Sequence, residues 1–302
     1  MTNVTAREKK ATGARKSAGV ALLVLAGSAA AAALAYGAAR WKARTRELRD
    51  RLEAERADAG PGVFDSAEIG GEGLPDPVRR YSRAVLTPGQ PMVAAADIAH
   101  EGRFSTNDAG PPQWRPFTST QRVIMRRAGF DWNARIQMAP GLSVLVHDAY
   151  VAGEGVLHAE LMGLVAVADM RGTPEIARGE LLRFLAEAVW YPTRLLPGQG
   201  VRWEAIDDAT ARVTLADDGV EVSLDFRFDE DGLVRSVYAP ARHRTVRGGA
   251  LVETPWEGWF GAYAWRGGMR IPLVGEVAWV LPEGRRSYWR GRVTRVVYEF
   301  AR

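Results

Sequence analysis

The chain has 302 residues and a formal net charge of +4, from 40 Lys and Arg against 36 Asp and Glu. It contains no cysteine, which excludes disulfides, thiol nucleophiles and cysteine-ligated metal centres. Residues 1–60 carry a net charge of +6 and residues 61–302 a net charge of −2. Because the folded part is close to neutral, the basic composition does not indicate nucleic-acid binding, and we expect no nucleic-acid partner.

Residues 1–19 are basic and polar, and we interpret them as a disordered tail. Residues 20–39 form a run of twenty residues without charge, ten of them alanine. As a helix this run would span ~30 Å, about the hydrocarbon thickness of a bilayer. We therefore predict a single transmembrane helix over residues 20–39 that attaches the protein to a membrane.

A cleaved signal peptide is the alternative, since the alanine-rich stretch Ala33–Ala39 resembles a cleavage region. The basic residues that follow from Arg40 favour a retained span. Five Lys and Arg precede the uncharged run, and seven lie in residues 40–56. This near balance leaves undecided on which side of the membrane the globular domain lies.

Residues 40–73 are interpreted as a charged stalk helix followed by a linker. Glu47 and Arg51 form a favourable i, i+4 pair, while Leu48 and Leu52 give the helix only a thin apolar edge. A linker rich in glycine and acidic residues follows. The globular β-rich domain is placed at residues 74–302.

Strand patterns dominate this domain. Val220–Phe228 alternates apolar and polar residues without a fault, between turns rich in Asp and Gly. With Ala211–Ala216 and Leu233–Tyr238 it predicts an antiparallel meander with one wet and one dry face. The other predicted strands are Asp97–Phe104, Arg122–Arg127, Trp132–Met138, Leu142–Tyr150, Gly155–Ala168, Ala241–Arg247, Gly258–Trp265, Arg270–Val280 and Tyr288–Phe300.

One long helical pattern interrupts the strands, over residues 175–190. Thr173 and Pro174 are typical of a helix start, and Pro192 ends the pattern. A sheet with one apolar face needs a cover, and this helix is the best candidate. The predicted fold class is α+β: a strongly curved, half-barrel-like antiparallel sheet wrapped around a central helix and preceded by the transmembrane helix.

A recurrent pattern begins at Leu74-Pro-x-Pro-Val-x-Arg-Tyr81. Its other parts are Gln113-Trp-Arg-Pro-Phe117, Gly129-Phe-Asp-Trp132, Asp148-Ala-Tyr-x-x-Gly153-x-Gly155, Gly179-Glu-Leu-Leu-Arg-Phe-Leu-Ala-Glu187, Pro255-Trp256 and Arg270-Ile-Pro272. With this pattern, residues of about 74–300 resemble an uncharacterised bacterial family catalogued as a domain of unknown function. The resemblance implies no activity and no catalytic residue. The expected fold is also similar to bacterial lipoprotein-carrier domains, which hold acyl chains.

Few residues are candidates for chemistry. The four histidines form no HxH or HExxH pair, so we expect no metal site and no cofactor. His158 and Glu160 are spaced to share one strand face, whereas His147 and Asp148 are expected on opposite faces. His158 and Glu160 are therefore candidate catalytic residues, with half-buried polar strand positions as the alternative.

A polar stripe on the predicted helix supplies the other candidates. Glu180, Arg183 and Glu187 lie at i, i+3 and i+7. If the helix lies inside a curved sheet, Arg183 and Glu187 would form a buried catalytic or anion-binding site. A solvent-facing row of ion pairs is the alternative, and it is the favoured one.

Aromatic residues are concentrated near the end of the chain. Trp259, Tyr263 and Trp265 are evenly spaced and are predicted to share one strand face. Together with Arg183 they are the candidate ligand-binding residues, because interior aromatics with a few polar groups line apolar cavities. A plain core filled by the same side chains is the alternative.

The function favoured by these features is a membrane-anchored domain that binds a lipid or another apolar molecule. A hydrolase or isomerase acting on an apolar substrate is the first alternative. A non-catalytic structural envelope protein is the second. The sequence does not indicate an oligomeric state.

Overall fold

The structure is a computed structural model that describes residues 4–57, 62–67, 69–70, 73–107, 110–246 and 249–301, excluding the side chains of residues 4–24 and 26. The helices are α1 (Val4–Ala54), α2 (Asp76–Val85) and α3 (Pro174–Ala186), with short 3-10 helices at Glu187–Trp190, Pro192–Leu195 and Pro197–Gln199. The strands are β1 (Val93–Ser105), β2 (Trp114–Ile124), β3 (Gly129–Ala139), β4 (Leu142–Val151), β5 (Glu154–Leu161), β6 (Val165–Arg171), β7 (Val201–Asp207), β8 (Thr210–Asp217), β9 (Val220–Phe228), β10 (Val234–Thr245), β11 (Leu251–Arg266), β12 (Met269–Leu281) and β13 (Gly284–Phe300).

Within these residues, thirteen strands form one antiparallel sheet. Its order is β6-β5-β4-β3-β2-β1-β13-β12-β11-β10-β9-β8-β7. Strands that follow one another in sequence pair in the sheet, with the exception of β6 and β7, and β1 pairs with β13 at the centre of the sheet. The edge strands β6 and β7 do not pair with each other, so the sheet is not closed into a barrel. The predicted antiparallel sheet with a few helices is confirmed.

The central β1–β13 pair divides the sheet into two arms, β1–β6 and β7–β13, and helix α3 packs against both. It contacts β4 and β5 on one arm and β9 and β10 on the other. Leu181, Phe184 and Leu185 are fully buried in the main core. Thr173 caps the helix, since its hydroxyl oxygen accepts a hydrogen bond from the Ile176 backbone N–H at 3.4 Å. The predicted helix is confirmed, with its last residues in 3-10 conformation.

Gly155 on β5 lets α3 come this close. A Cβ atom at this position would lie 2.5 Å from the carbonyl carbon of Ile176 and 2.6 Å from the backbone nitrogen of Ala177, both on the helix. We expect Gly155→Ala to lower the free energy of unfolding by about 1–3 kcal/mol, because α3 must move away from the sheet. Chemical denaturation measures the loss. Gly198→Ala is the control, since its Cβ would meet no atom within 4 Å, and equal stability of the two variants would contradict the close approach.

The second half of α1 packs on the outer face of the sheet, against β2, β3 and β4. Leu48 and Leu52 are buried there in an apolar cluster with Ile124, Val151 and Val156. Trp41 is also buried, and its indole N–H donates to the Asn133 side-chain oxygen at 3.1 Å. Residues 40–54 of the predicted stalk helix are therefore attached to the sheet along their length.

Among the described residues, no helix is both long enough and apolar enough to cross a bilayer. The predicted span, residues 20–39, lies partly outside them, because the side chains of residues 20–24 and 26 are not described. The backbone of α1 is helical from Val4, so the helix includes most of the predicted disordered tail.

Candidate functional site

Arg183 lies at the centre of a polar cluster on the concave face of the sheet. Its Nε donates to Glu187 Oε1 at 2.7 Å, and its Nη1 donates to Asp148 Oδ2 at 2.8 Å. The guanidinium carbon is 4.8 Å from the centre of the Trp132 ring and 5.1 Å from that of Phe130. Only 14% of the Arg183 side chain is exposed, so the favoured solvent-facing interpretation is wrong.

Arg242 forms the other half of this cluster. Its Nη2 lies 3.6 Å from Glu180 Oε1, so Glu180 pairs across to β10 rather than with Arg183 on its own helix. The Arg242 guanidinium lies over the rings of Trp256 and Trp279, at 5.1 and 5.8 Å from their centres. Tyr288 completes the group: its hydroxyl accepts hydrogen bonds from Arg242 at 3.3 Å and from the Trp256 indole at 2.8 Å.

A cavity of about 70 Å³ lies between α3 and the sheet at this cluster. That is about half the volume of an engineered cavity that holds benzene. Its charged lining includes Asp148, Arg183, Glu187 and Arg242, and its aromatic lining is Phe104, Trp132, Trp190, Trp256, Phe260, Tyr288 and Trp289. The arrangement combines apolar walls with a buried ionic group, which suits a small amphiphilic ligand.

Burial shifts the proton affinities of this cluster. It raises the pKa of Glu180 to about 8, an effect increased by Asp148 and opposed by Arg242. It also raises the pKa of Asp148, against the attraction of Arg183. Nearby, burial and then Arg183 lower the pKa of His100 to about 3, so its ring is neutral where it packs against Trp190.

Comparison with protein families identifies the family of the globular domain. A family of unknown function, DUF6920, matches residues 72–298, which is most of the chain. The chain belongs to this family. The match agrees with the resemblance over residues of about 74–300.

Three solved structures resemble the DUF6920 chain at low sequence identity. A putative outer membrane lipoprotein-sorting protein domain from Vibrio parahaemolyticus is 11% identical, covering 68% of this chain and 86% of its own, with a TM-score of 0.36. A LolA superfamily protein from Nitrosomonas europaea is 11% identical over 74% and 92%, with a TM-score of 0.36. A DUF1329 family protein from Desulfovibrio piger is 12% identical over 77% and 92%, with a TM-score of 0.38. Among curated proteins, none matches.

Glu180 gives the DUF6920 domain a defined pH response. Its folded pKa of about 8 lies above the unfolded value of about 4.3, so its stabilising contribution is complete below about pH 4.3 and is lost as the pH rises through 8. As the pH rises from about 4.3 to 8, we expect the free energy of unfolding of Glu180→Gln to increase relative to that of the wild type, by at most about 1.4 kcal/mol per pH unit. Denaturant unfolding from pH 5 to 8 measures this. The exposed Glu204→Gln is the control, and a pH-independent difference for Glu180→Gln would contradict the assignment.

His158 and Glu160 lie in a different place, on the outer face beneath α1. They share a face as predicted, with His158 Nε2 3.0 Å from Glu160 Oε1. Glu160 also accepts hydrogen bonds from Arg40 at 2.8 Å and from Arg44 at 2.5 Å. Burial alone would raise the pKa of Glu160, but these guanidinium donors lower it to about 2. The structure therefore does not bring His158 and Glu160 together with Arg183.

The same outer face holds a second set of buried polar groups. His147 Nδ1 lies 2.6 Å from Asp131 Oδ1, and Arg49 of α1 donates to the other Asp131 oxygen at 3.1 Å. The Trp41 ring stacks on His147 with 4.5 Å between ring centres. Asp148 lines the cavity on the other face of the sheet, which agrees with the prediction that His147 and Asp148 lie on opposite faces. These outer groups attach α1 to the sheet, and among the described residues no set of three or more His, Asp and Glu could hold a metal ion.

The predicted aromatic face is wrong. Trp259 lies on the outside of β11 between Arg235 and Arg285, at 5.4 and 5.1 Å from the ring centre, whereas its neighbour Phe260 lines the cavity. Tyr263 packs against the main core, and its hydroxyl donates to the Val234 carbonyl at 2.7 Å.

Trp265 is 51% exposed. The left-handed backbone of Ala262, with φ at 53°, interrupts the alternation on which the prediction depended. Of the described residues that line the cavity, none is Trp259, Tyr263 or Trp265.

Several residues of the concave cluster were not singled out by sequence. Asp148 could have been found from the sequence, because it follows His147 on a strand and its side chain must therefore point to the opposite face. Arg242, Trp132 and Tyr288 had none, because they come from three different strands and only the fold brings them to α3.

Proposed function

We propose that the DUF6920 domain binds a small amphiphilic molecule in the cavity between α3 and the sheet. The lining of this cavity supports the proposal, because seven aromatic side chains lie next to a buried cluster of carboxylates and guanidiniums. Aromatic walls favour the apolar part of a ligand, and the charged cluster fixes its polar end. An alkyl tail needs more room than about 70 Å³, so its entry must displace tryptophan rings.

Membrane attachment through residues 20–39 belongs to the same proposal. Its support is the uncharged run between two basic segments, which has the length of a bilayer span. Since residues 40–54 of α1 pack on the sheet, the cavity would be held at a fixed distance from the bilayer. Retention in membranes after a carbonate wash tests this, and recovery of a mature protein that begins near residue 40 would contradict it.

Ligand binding can be measured directly on the purified full-length chain. Mass spectrometry of co-purified lipids identifies natural occupants, and alkyl probes should change the intrinsic tryptophan fluorescence. Trp256→Phe should weaken probe binding, because Trp256 lines the cavity. Trp265→Phe is the matched control on the surface. Equal probe affinity of both variants and the wild type would contradict a site at this cavity.

An acid/base enzyme, a hydrolase or isomerase of apolar substrates, is the second candidate. One observation favours it: Asp148 lines the cavity with a raised pKa and with Oδ1 buried and not hydrogen-bonded among the described residues. Asp148→Asn should then abolish turnover of an apolar ester while leaving substrate binding measurable. Turnover that persists in Asp148→Asn would exclude this carboxylate as the acid or base.

A further inference from the structure

The buried charges around the cavity do not balance. Glu276 also lines the cavity, but it is paired with Arg285 and Arg290. The other three carboxylates of the cluster, those of Asp148, Glu180 and Glu187, lie against the two guanidiniums of Arg183 and Arg242. Their side chains are between 9% and 20% exposed. A buried carboxylate without a counter-charge is costly, so the cluster favours one additional positive charge.

Buried acceptor atoms that receive no hydrogen bond also favour an additional positive charge. Asp148 Oδ1 and Glu180 Oε2 are buried and accept no hydrogen bond among the described residues. The side-chain oxygen Oε1 of Gln121 is also buried and accepts no hydrogen bond among these residues, although the amide nitrogen of Gln121 donates to Glu187 at 2.5 Å. Trp132 Nε1 is an unpaired donor, so acceptors outnumber donors. Buried acceptors of this kind are satisfied by a ligand that donates hydrogen bonds.

The walls also suit a cation. Ring faces carry negative electrostatic potential, and aromatic cages bind ammonium groups. Two walls of this cavity already hold cations on their rings: Arg183 lies over Trp132, and Arg242 lies over Trp256. A volume of about 70 Å³ is of the size of a head group rather than of a whole lipid.

We infer that the cavity takes a cationic head group, a protonated amine or a quaternary ammonium, and that the preferred ligand is a cationic amphiphile rather than a fatty acid. This inference rests on the proposed function and specifies its ligand class. Asp148 supplies the free carboxylate oxygen, and the tryptophan and tyrosine rings surround the charge.

Binding should be linked to proton release. Without a cation, a proton on Glu180 offsets the excess negative charge, consistent with its pKa of about 8. The groups that face Glu180 are Asp148 on β4, Arg242 on β10, and Arg183 and Glu187 of its own chain segment. An ammonium ligand would replace this proton, so its affinity should rise as the pH increases from about 6 to 9.

Four probes with the same eight-carbon chain test the inference on the full-length protein: octyltrimethylammonium, octylammonium, octanol and octanoate. We expect the two cations to bind at least about tenfold more tightly than octanol, and octanoate to bind more weakly than octanol. Calorimetry at pH 7 in two buffers of different ionisation enthalpy should show proton release with the cations. Equal affinity for all four, or tightest binding of octanoate, would overturn the cationic preference and leave the proposed function intact. No binding of any probe would contradict the proposed function itself.

Asp148→Asn removes the charge at constant shape and should reduce the ratio of octylammonium to octanol affinity. Asp76→Asn is the control, since this side chain is 76% exposed, and its ratio should not change. An unchanged ratio in Asp148→Asn would overturn the role of its carboxylate. Since the four-probe comparison needs no variant, the inference is tested even where Asp148→Asn fails to fold.

Discussion

Replacing Arg183 by methionine should lower the free energy of unfolding by about 3–5 kcal/mol, the usual effect of breaking a buried ion pair. The variant keeps most of the arginine stem and volume while it removes the guanidinium. Asp148 and Glu187 would then remain buried without their shared counter-charge. The measurement is the denaturant midpoint with an unchanged m-value.

Two further variants make this result specific. Arg178→Met changes an exposed arginine of the same helix and should alter stability by less than about 0.5 kcal/mol. Adding Asp148→Asn and Glu187→Gln to Arg183→Met should restore part of the loss, because the buried charges are then removed together. A midpoint that does not move in Arg183→Met would show that this cluster is open to water.

Truncating Leu52 to alanine should cost about 2–5 kcal/mol, as for other buried leucines. Leu52 has no exposed surface, and it packs so tightly that a Cβ at Gly129 would lie 2.7 Å from its Cδ1. The free energy of unfolding is the measurement. Leu142→Ala is the control, since that leucine is 39% exposed and its loss should be much smaller. Equal effects of the two variants would mean that α1 stands away from the sheet.

Local patterns predicted the parts of the fold that depend on neighbours in sequence. Val220–Phe228 alternates and became β9 with the predicted bounds. The Thr173-Pro174 start and the apolar surface that follows predicted α3, and the sheet that surrounds it supplies the burial. Even the opposite orientation of His147 and Asp148 followed from strand geometry alone.

Interactions between distant segments were not predictable in this way. Leu48 and Leu52 form only a thin apolar edge in sequence, and the apolar and polar side chains that α1 meets on the outer face come from distant strands. Likewise, the Glu180–Arg242 pair joins a helix to a strand that comes much later in the chain. One backbone angle at Ala262 was enough to defeat the prediction for Trp259 and Tyr263.

The pairing of β1 with β13 constrains the order in which the protein can assemble. Each arm of the sheet is a series of adjacent hairpins, but the arms are joined where Ile98 meets Val296. During synthesis, β1 keeps an open hydrogen-bonding edge until β13 has left the ribosome. Such an edge is a template for misassociation with other chains. We therefore expect the nascent chain to depend on chaperones until its last strand is complete, and the join to be the slow step of refolding.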